Sequence, residues 1–373
     1  MNKEIRAKNA KLRRELQQFL TEARGCCEKT VTQKVSHVYA FEKYFNKDLT
    51  NCGKKEYFIE YKTYLRNEKK VSLNTLYNNC RSIYDFYLML SFDHKYKKVT
   101  SMNDLEYLSI TKKEKNAMES APNLKEFPRI EDFKTLVDSI DVKNEISTRN
   151  KAYVVFSLFS PSRGRTTIHL KLKHLDRKKL VIQMDPTKEV DTKGSRGNWG
   201  MLLVFEPEYL PFFTDYVDYL IKQKGFSGDH PLFPATLSEL KNSNNFFTAD
   251  RLSDTAWKTT APLRRILKNL CNMANLKYYK PHRYRDLHYY LARKCCINEE
   301  QRDAVEKNMG HRGITTAEKY YGNITKYERF DILSQIDFSR HDQNNALTIQ
   351  DVYAEIRSLR EELIGRRGSG NKY

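Results

Sequence analysis

Apolar residues recur at helical spacing along most of this chain, and that periodicity restricts it to a mainly α-helical fold. Val35, Val38, Phe41 and Tyr44 form one stripe, Phe58, Tyr61 and Leu65 a second, and Leu76, Ile83, Phe86 and Tyr87 a third. Ser72 stands where the third helix begins, as its N-cap. An earlier helix, over 3–24, carries Ile5, Leu12, Leu16, Phe19 and Ala23 on one face and Lys and Arg over the rest. It is suited either to cap the helical domain that follows or to lie along a polyanion.

The periodicity breaks in two places. Between about 96 and 128 it loosens, interrupted by Lys97, Lys98, Lys112, Lys113 and Lys115 and punctuated by Pro122 and Pro128, which reads as a basic interdomain linker. In the second half, 180–184 and 201–205 read as two short strands around a polar loop with Gly194, Gly197 and Gly200, an antiparallel hairpin with a long tip. Helices, including 130–140 and 152–159, surround this hairpin and dominate again to residue 335. Near the C-terminus Ile349, Val352, Ile356, Leu359 and Leu363 alternate three- and four-residue spacings, the seam of a heptad helix over 348–364, with Thr348 and Asp351 outlining a capping box. The expected organisation is a basic helical extension (1–27), a helical domain (28–95), a basic linker (96–128), a larger α+β domain (129–335), and a heptad helix with a polar tail (336–373).

With 373 residues the chain can build two cores. Lys and Arg number 66 against 47 Asp and Glu, a net charge of +19, which selects a polyanionic partner, nucleic acid above all. No apolar run is long enough to span a bilayer, and the charged N-terminus lacks a signal-peptide stretch. Seven cysteines, with adjacent pairs Cys26-Cys27 and Cys295-Cys296 but no zinc-ligand spacing, suit a reducing compartment. A cytoplasmic protein, nucleoid-associated when bound to DNA, with no metal and no cofactor, is the expectation.

Against this background a row of residues in the C-terminal half carries chemistry: Arg163, Lys188, His282, Arg285, His311 and Tyr320. Cleaving a phosphodiester without metal or ATP needs guanidinium forks for the negative charge of a pentacovalent phosphorus. It also needs a proton for the leaving oxygen and a nucleophile. The row supplies arginines and histidines for charge, a lysine for the proton, and a tyrosine to attack phosphorus.

The surroundings of these residues resemble the tyrosine recombinases, the phage integrase superfamily. Ser160-Pro161-Ser162-Arg163 ends a hydrophobic helix and is followed by Ile168, Leu170, Leu172 and, thirteen residues after Arg163, Asp176, like the first arginine box of that family. Two positions depart from the pattern, Ser160-Pro161 where Thr-Gly is common and Thr166 where an acidic residue is usual, so Arg165 is an alternative for the role. Pro186-Thr187-Lys188 directly after the first strand fits the hairpin lysine, with Lys193 deeper in the loop as its rival. Leu232-Phe233-Pro234 is similar to a landmark downstream of that hairpin. His282-Arg283-Tyr284-Arg285 matches the family's His-x-x-Arg box, its spacing selecting His282 and Arg285 over Arg283 and His288. Gly310-His311, Thr315-Thr316 and Tyr320-Tyr321 resemble the family's ending, and the interval of nine from His311 selects Tyr320, with Tyr321 adjacent.

The resemblance implies a helical core-binding domain and an α+β catalytic domain clamped around double-stranded DNA at specific recombination sites. It implies strand exchange through a 3′-phosphotyrosine and a Holliday junction by an integrase or transposase, with four protomers on two sites and, in some systems, a DNA-bending accessory protein. In the helical domain, Lys70, Ser72, Asn74 and Arg81 at the start of the third stripe are suited to hold a DNA phosphate. Two other readings of the same residues are a type IB topoisomerase-like enzyme and a DNA-binding protein of this fold without turnover.

Overall fold

The stripes of apolar residues gather into two separate cores, one in each of two units, Met1–Leu124 and Lys125–Tyr373. A computed structural model describes residues 1–120, 126–192, 197–242, 245–310 and 325–342. It is mainly helical, with a small antiparallel sheet.

The first unit is all helix: α1 (Lys3–Gln18), extended by a π-helical turn at Phe19–Ala23, then α2 (Glu28–Phe45), α3 (Lys55–Asn67), α4 (Leu73–Phe92), α5 (Met102–Glu106) and α6 (Lys112–Ser120). Phe41 lies at its centre, edge-on to Phe45, Tyr61 and Tyr87 at centroid distances of 5.0, 5.0 and 6.1 Å. Leu12, Leu16 and Leu20 are fully buried in the same core, so the N-terminal helix belongs to this unit rather than extending from it. Buried Asn9 fastens it there, donating to the Lys47 carbonyl (3.0 Å) and accepting from the Leu49 amide (3.0 Å). Ser72 caps α4, its hydroxyl accepting from the Thr75 amide at 3.3 Å.

The basic stretch expected to be a linker over 96–128 is instead folded through residue 120, with α5 and α6 in it. Tyr96, Leu105 and Leu108 enter the core, and Lys62, itself buried, donates to the carbonyls of Tyr107 (2.8 Å) and Ser109 (2.6 Å). Isolated apolar residues in a lysine-rich sequence give no periodic signal, yet each finds a place on helices that already exist.

The second unit is built on α8 (Glu145–Phe159), preceded by α7 (Ile130–Asp138). From Ala152 to Phe159 only Ser157 escapes full burial, as expected of a helix apolar on all sides. Around it lie α9 (Gly164–His169), β1 (Leu175–Asp176), β2 (Val181–Met184), β3 (Asn198–Met201), α10 (Leu210–Lys222), β4 (Pro234–Asn242), β5 (Asn245–Ala256), α11 (Ala261–Met273), α12 (Pro281–Lys294), α13 (Glu299–Asn308) and α14 (Lys326–Ser334). Strands β1, β2 and β3 form an antiparallel sheet in that order, with Ile182 opposite both Leu175 and Gly200.

Two expectations are corrected here. The second strand of the hairpin lies at 198–201, not 201–205. The apolar run leaves the ladder after Leu202, whose amide still donates to the Leu180 carbonyl at 2.8 Å: the Leu203 amide donates to the Phe159 carbonyl at 2.9 Å, and Leu202, Leu203 and Phe205 are buried without alternating. Polar Asn198 and Trp199 take the pairing positions instead, and Gly200 is required because a Cβ there would lie 2.5 Å from Pro161 Cγ. The second correction is the long hairpin β4–β5, where only helix was expected. Its anchors are tertiary. Buried Arg149 on α8 donates to the Pro234 carbonyl (3.0 Å) and Thr236 Oγ1 (3.1 Å) and stacks on Trp257, while Glu145 accepts from the Leu252 amide (2.8 Å).

One buried group makes the unit acid-sensitive. His288 on α12 is wholly enclosed, donating from Nδ1 to the Leu158 carbonyl at 2.6 Å and packed edge-on against Phe205. Burial pushes its pKa down to about 3 from 6.5. The unfolded chain therefore takes up a proton below pH 6.5 that the folded chain refuses. Stability is complete above that pH and is lost progressively as the pH falls toward 3. Between pH 7 and 5 this loss is about 2 kcal/mol. It should appear as a lower urea midpoint, and His288→Gln, which keeps a donor for Leu158, should remove most of that pH dependence.

Candidate active site

The end of α8 and the start of α9 place Arg163. Ser160 caps α8, the Ser162 amide donates to Ser160 Oγ at 3.0 Å, and Ser162 Oγ bonds Thr167 Oγ1 at 2.9 Å. This short turn leaves Arg163 in extended conformation as the N-cap of α9, its carbonyl accepting from the Thr167 amide at 2.8 Å. The Arg163 side chain is half-buried, and burial alone lowers its pKa. Among the described residues it has no ion pair and no hydrogen bond. Arg165, the alternative, is exposed and paired with Asp191. Thr166, at the position that departs from the family pattern, is buried and donates to the Asp191 carbonyl at 3.2 Å.

Helix α12 opens with Pro281, whose fixed φ suits a first turn. One face of it descends into the protein: His282 is exposed, Arg285 is 3% exposed, and His288 is closed off. The Arg285 guanidinium donates to the carbonyl of Met309, at the end of α13, while its Nε has no partner among the described residues. Burial, then the charge of Arg163, hold its pKa down to about 9, with Asp286 opposing, so it remains charged at neutral pH. Partial burial first, then the charges of Arg285, Arg283 and Arg163, against Asp286, hold His282 below its ordinary pKa, although its side chain is still 58% exposed. Asp286 is engaged by Arg283 and lies 3.9 Å from His282 Nε2. Arg163 acts on both Arg285 and His282, so these three share one electrostatic neighbourhood; Arg283 also acts on His282 but is paired with Asp286, and His288, which feels Arg285, is wholly enclosed.

Lys188 ends a 3-10 turn that follows β2 directly, capped by Asp185, whose Oδ1 accepts from the Thr187 amide (2.9 Å) and hydroxyl (2.8 Å). It is exposed, and none of the described contacts joins it to the arginine pair. The next residue, Glu189, has a left-handed φ of 67° and accepts from Lys171 at 2.6 Å, which pins this turn to the chain after α9. Gly310 at the end of α13 has φ 62°, a backbone conformation that favours glycine, and a Cβ there would crowd Asn198 Nδ2 at 3.2 Å. His311, Tyr320, Tyr321, Lys193 and the heptad helix at 348–364 lie outside the described residues.

In the first unit Lys70 adopts a left-handed φ of 47° beside the Ser72 cap. Asn74, Tyr77, Asn78 and Arg81 line up on one exposed face of α4. Arg81 lies over the Tyr84 ring and 3.3 Å from Asp85.

Sequence reasoning missed two groups. Arg264, Arg265 and Lys268 are exposed on α11, whose first turn packs against Gly164, next to Arg163. The amphipathic pattern of 261–273 with a basic polar face carried that signal. The second group, Asn198, Asn308 and Arg329, joins β3 to α13 and α14 and had no signal in the sequence at all.

No protein-family model and no curated protein matches the chain. The fold is similar to that of the lambda integrase, solved as a dimer bound to a COC′ core site, with a TM-score of 0.54 at 11% identity over 85% of this chain and 99% of that one. It is similar also to the integrase of transposon Tn1549 in complex with transposon right end DNA, with a TM-score of 0.53 at 14% identity over 86% of this chain and 98% of that one. The same integrase with circular intermediate DNA gives a TM-score of 0.51 at 15% identity, over 84% and 96%. At these identities the likeness is one of fold. No helix among the described residues is long and apolar enough to cross a membrane.

Proposed function

We propose that this protein is a site-specific DNA recombinase that cleaves and rejoins strands through a 3′-phosphotyrosine. One observation carries the reading. Arg285 is buried and repelled by Arg163, and neither forms an ion pair among the described residues: Asp286, which offsets part of the charge at Arg285, is engaged by Arg283. Two like charges held together, one out of water, are unfavourable unless a ligand supplies the counter-charge. A phosphodiester has the charge and the two non-bridging oxygens that guanidinium forks match. The net charge of +19 and the DNA held by the solved structures of similar fold support a DNA partner.

In this reading Arg163 and Arg285 hold the non-bridging oxygens, and charge growing there in the transition state strengthens their hold. Tyr320 attacks phosphorus, forming the phosphotyrosyl bond as the bond to the 5′ oxygen breaks. Lys188, on its exposed turn, protonates that oxygen. His282 and His311 hydrogen-bond the phosphate and manage the tyrosine proton. A free 5′ hydroxyl from a second site then attacks the phosphotyrosine, so the bond energy is conserved and religation needs no cofactor. Four protomers on two sites would complete the exchange, and the heptad helix at 348–364 is a candidate contact between them.

The test is strand exchange between two duplexes that carry the ends of the protein's own element, followed by resolution of a synthetic Holliday junction built from the same ends. Exchanged duplexes and a resolved junction support the recombinase. Relaxation of supercoils without exchange would assign a type IB topoisomerase-like enzyme instead.

The exposed face of α4 carries a separate expectation. With the Ser72 cap, Lys70, Asn74 and Arg81 would hold a backbone phosphate, a contact that carries no sequence information. Asn74→Ala should weaken binding to the specific site and to unrelated DNA alike with the salt dependence kept, since asparagine carries no charge, and Arg81→Ala should weaken both and flatten that dependence. Lys70→Ala should weaken both about equally and flatten the salt dependence. Binding titrations at two salt concentrations distinguish these outcomes.

A further inference from the structure

Three successive carbonyls at the end of α13 are each held by a side chain. Lys307 O accepts from Arg329 (3.1 Å) and Asn198 (3.4 Å), Asn308 O accepts from Asn198 (3.0 Å), and Met309 O accepts from Arg285. The Asn308 side chain, fully buried, reaches the other way: its Oδ1 accepts from the Met201 amide (2.7 Å) and its Nδ2 donates to the Met201 carbonyl (3.0 Å). It thereby completes the free edge of β3 as another strand would. Arg329, on α14, donates to the Trp199 carbonyl (2.6 Å) and to Asn198 Oδ1 (3.3 Å), and Lys326 lies over the Trp199 ring at 4.4 Å. Strand β3 is therefore the common anchor for the end of α13 and the start of α14. These are the two points between which residues 311–324 run.

Arg329 is an expensive way to make such a contact if only stability were at stake. It is 8% exposed, its Nε has no partner, and no carboxylate faces it among the described residues. A well-packed apolar residue commonly serves the fold as well as a buried charge does. What the guanidinium adds is geometry: one rigid fork reaches three oxygens, on α13 and on two residues of β3, and two of them are carbonyls. Lys307 O also lies at a helix C-terminus, where the helix dipole favours a cation.

We propose that Arg329 and Asn198 are positioning residues: by tying the end of α13 and the start of α14 to the same strand, they fix the two points that flank residues 311–324, the part of the sequence that includes Tyr320. This rests on the reading that Tyr320 attacks a DNA phosphate. Neither residue touches the reacting atoms. Their loss misplaces the nucleophile without weakening the grip on DNA, and a misplacement of about 1 Å can slow a reaction by about 100-fold.

The experiment is single-turnover covalent capture on DNA carrying the element's own ends, nicked so that the released strand diffuses away. Wild type, Arg329→Met, Arg329→Lys, Asn198→Ala and Lys188→Ala are compared on two versions of the substrate. One has the normal leaving 5′ oxygen. The other has sulfur in its place, which departs without needing a proton. DNA affinity and melting temperature are measured on the same samples.

Arg329→Met is expected to lose about 100-fold in capture rate on both substrates at unchanged DNA affinity. Arg329→Lys, with its charge but without its fork, and Asn198→Ala should lose about 10-fold or more. If Arg329→Met melts at the assay temperature, these two milder variants decide. Lys188→Ala, by contrast, should recover on the sulfur substrate. Folded Arg329 and Asn198 variants that cleave like wild type would overturn the proposal. So would their recovery on sulfur alongside Lys188→Ala, which places the defect at the leaving group. If wild type itself binds but is never captured, the recombinase reading fails, and this inference fails with it.

Discussion

Arg285→Met is expected to slow strand cleavage by about 10³-fold while leaving the melting temperature nearly unchanged. The two halves of this expectation come from the same geometry. Arg285 is buried, is repelled by Arg163, and has as its described partner only the Met309 carbonyl. Methionine of similar length removes the repulsion and the cost of a buried charge, and it leaves Met309 without a donor. The last of these costs about 1 kcal/mol and the first two act in the opposite direction, so the fold changes little. Catalysis has no such compensation, since a preorganised donor to the transition-state phosphate is worth about 10²–10³ in rate. Arg163→Ala should behave alike, and Arg163→Lys should recover only part of the rate because an ammonium cannot present a fork. Cleavage rates and thermal melting on the same preparations check this. A large fall in melting temperature for Arg285→Met would mean instead that the arginine serves chiefly to hold the end of α13.

Tyr320→Phe is expected to abolish the covalent protein–DNA adduct entirely, at unchanged affinity for the site. The change removes one oxygen atom, the one that would attack phosphorus, and keeps the ring. Tyr321→Phe should still form the adduct. Detergent-stopped reactions read this directly. Loss in Tyr321→Phe alone would keep the chemistry and move the nucleophile by one residue, at an interval of ten rather than nine from His311.

Much of the fold was legible because its helices are amphipathic over several turns. The stripes at 35–44, 58–65 and 76–87 became α2, α3 and α4, and the Ser72 cap followed from its place at the head of the third. What escaped the sequence depends on partners far along the chain. Tyr96, Leu105 and Leu108 are single apolar residues among lysines and matter only because a core is ready to receive them. The β4–β5 hairpin is pinned by Arg149 and Glu145, about a hundred residues earlier, so its own sequence need not alternate. The strand at 198–201 was displaced in the reading because burial against the end of α8 makes 202–205 look like a strand.

At the site, the spacing of His282 and Arg285 on one helix face could be read directly. The closeness of Arg285 to Arg163, and the lack of an ion pair at either among the described residues, could not, since charge pairing is a property of the folded chain. Arg165, the alternative to Arg163 in the sequence, differs from it in structure: Arg165 is exposed and paired with Asp191, whereas Arg163 is half-buried and unpaired among the described residues. Arg329 was unreadable for the same reason as the hairpin, its three acceptors being supplied by β3 and α13.

The central claim is that the arginine pair holds a DNA phosphate for attack by a tyrosine. Its most direct test is to trap wild-type protein on duplexes carrying the ends of its element, digest the adduct with nuclease and protease, and identify by mass spectrometry the residue that retains a nucleotide. A nucleotide joined through its 3′ phosphate to Tyr320 is the predicted result. A site that is bound tightly but yields no nucleotide on any tyrosine, or one joined through a 5′ phosphate, would contradict the account.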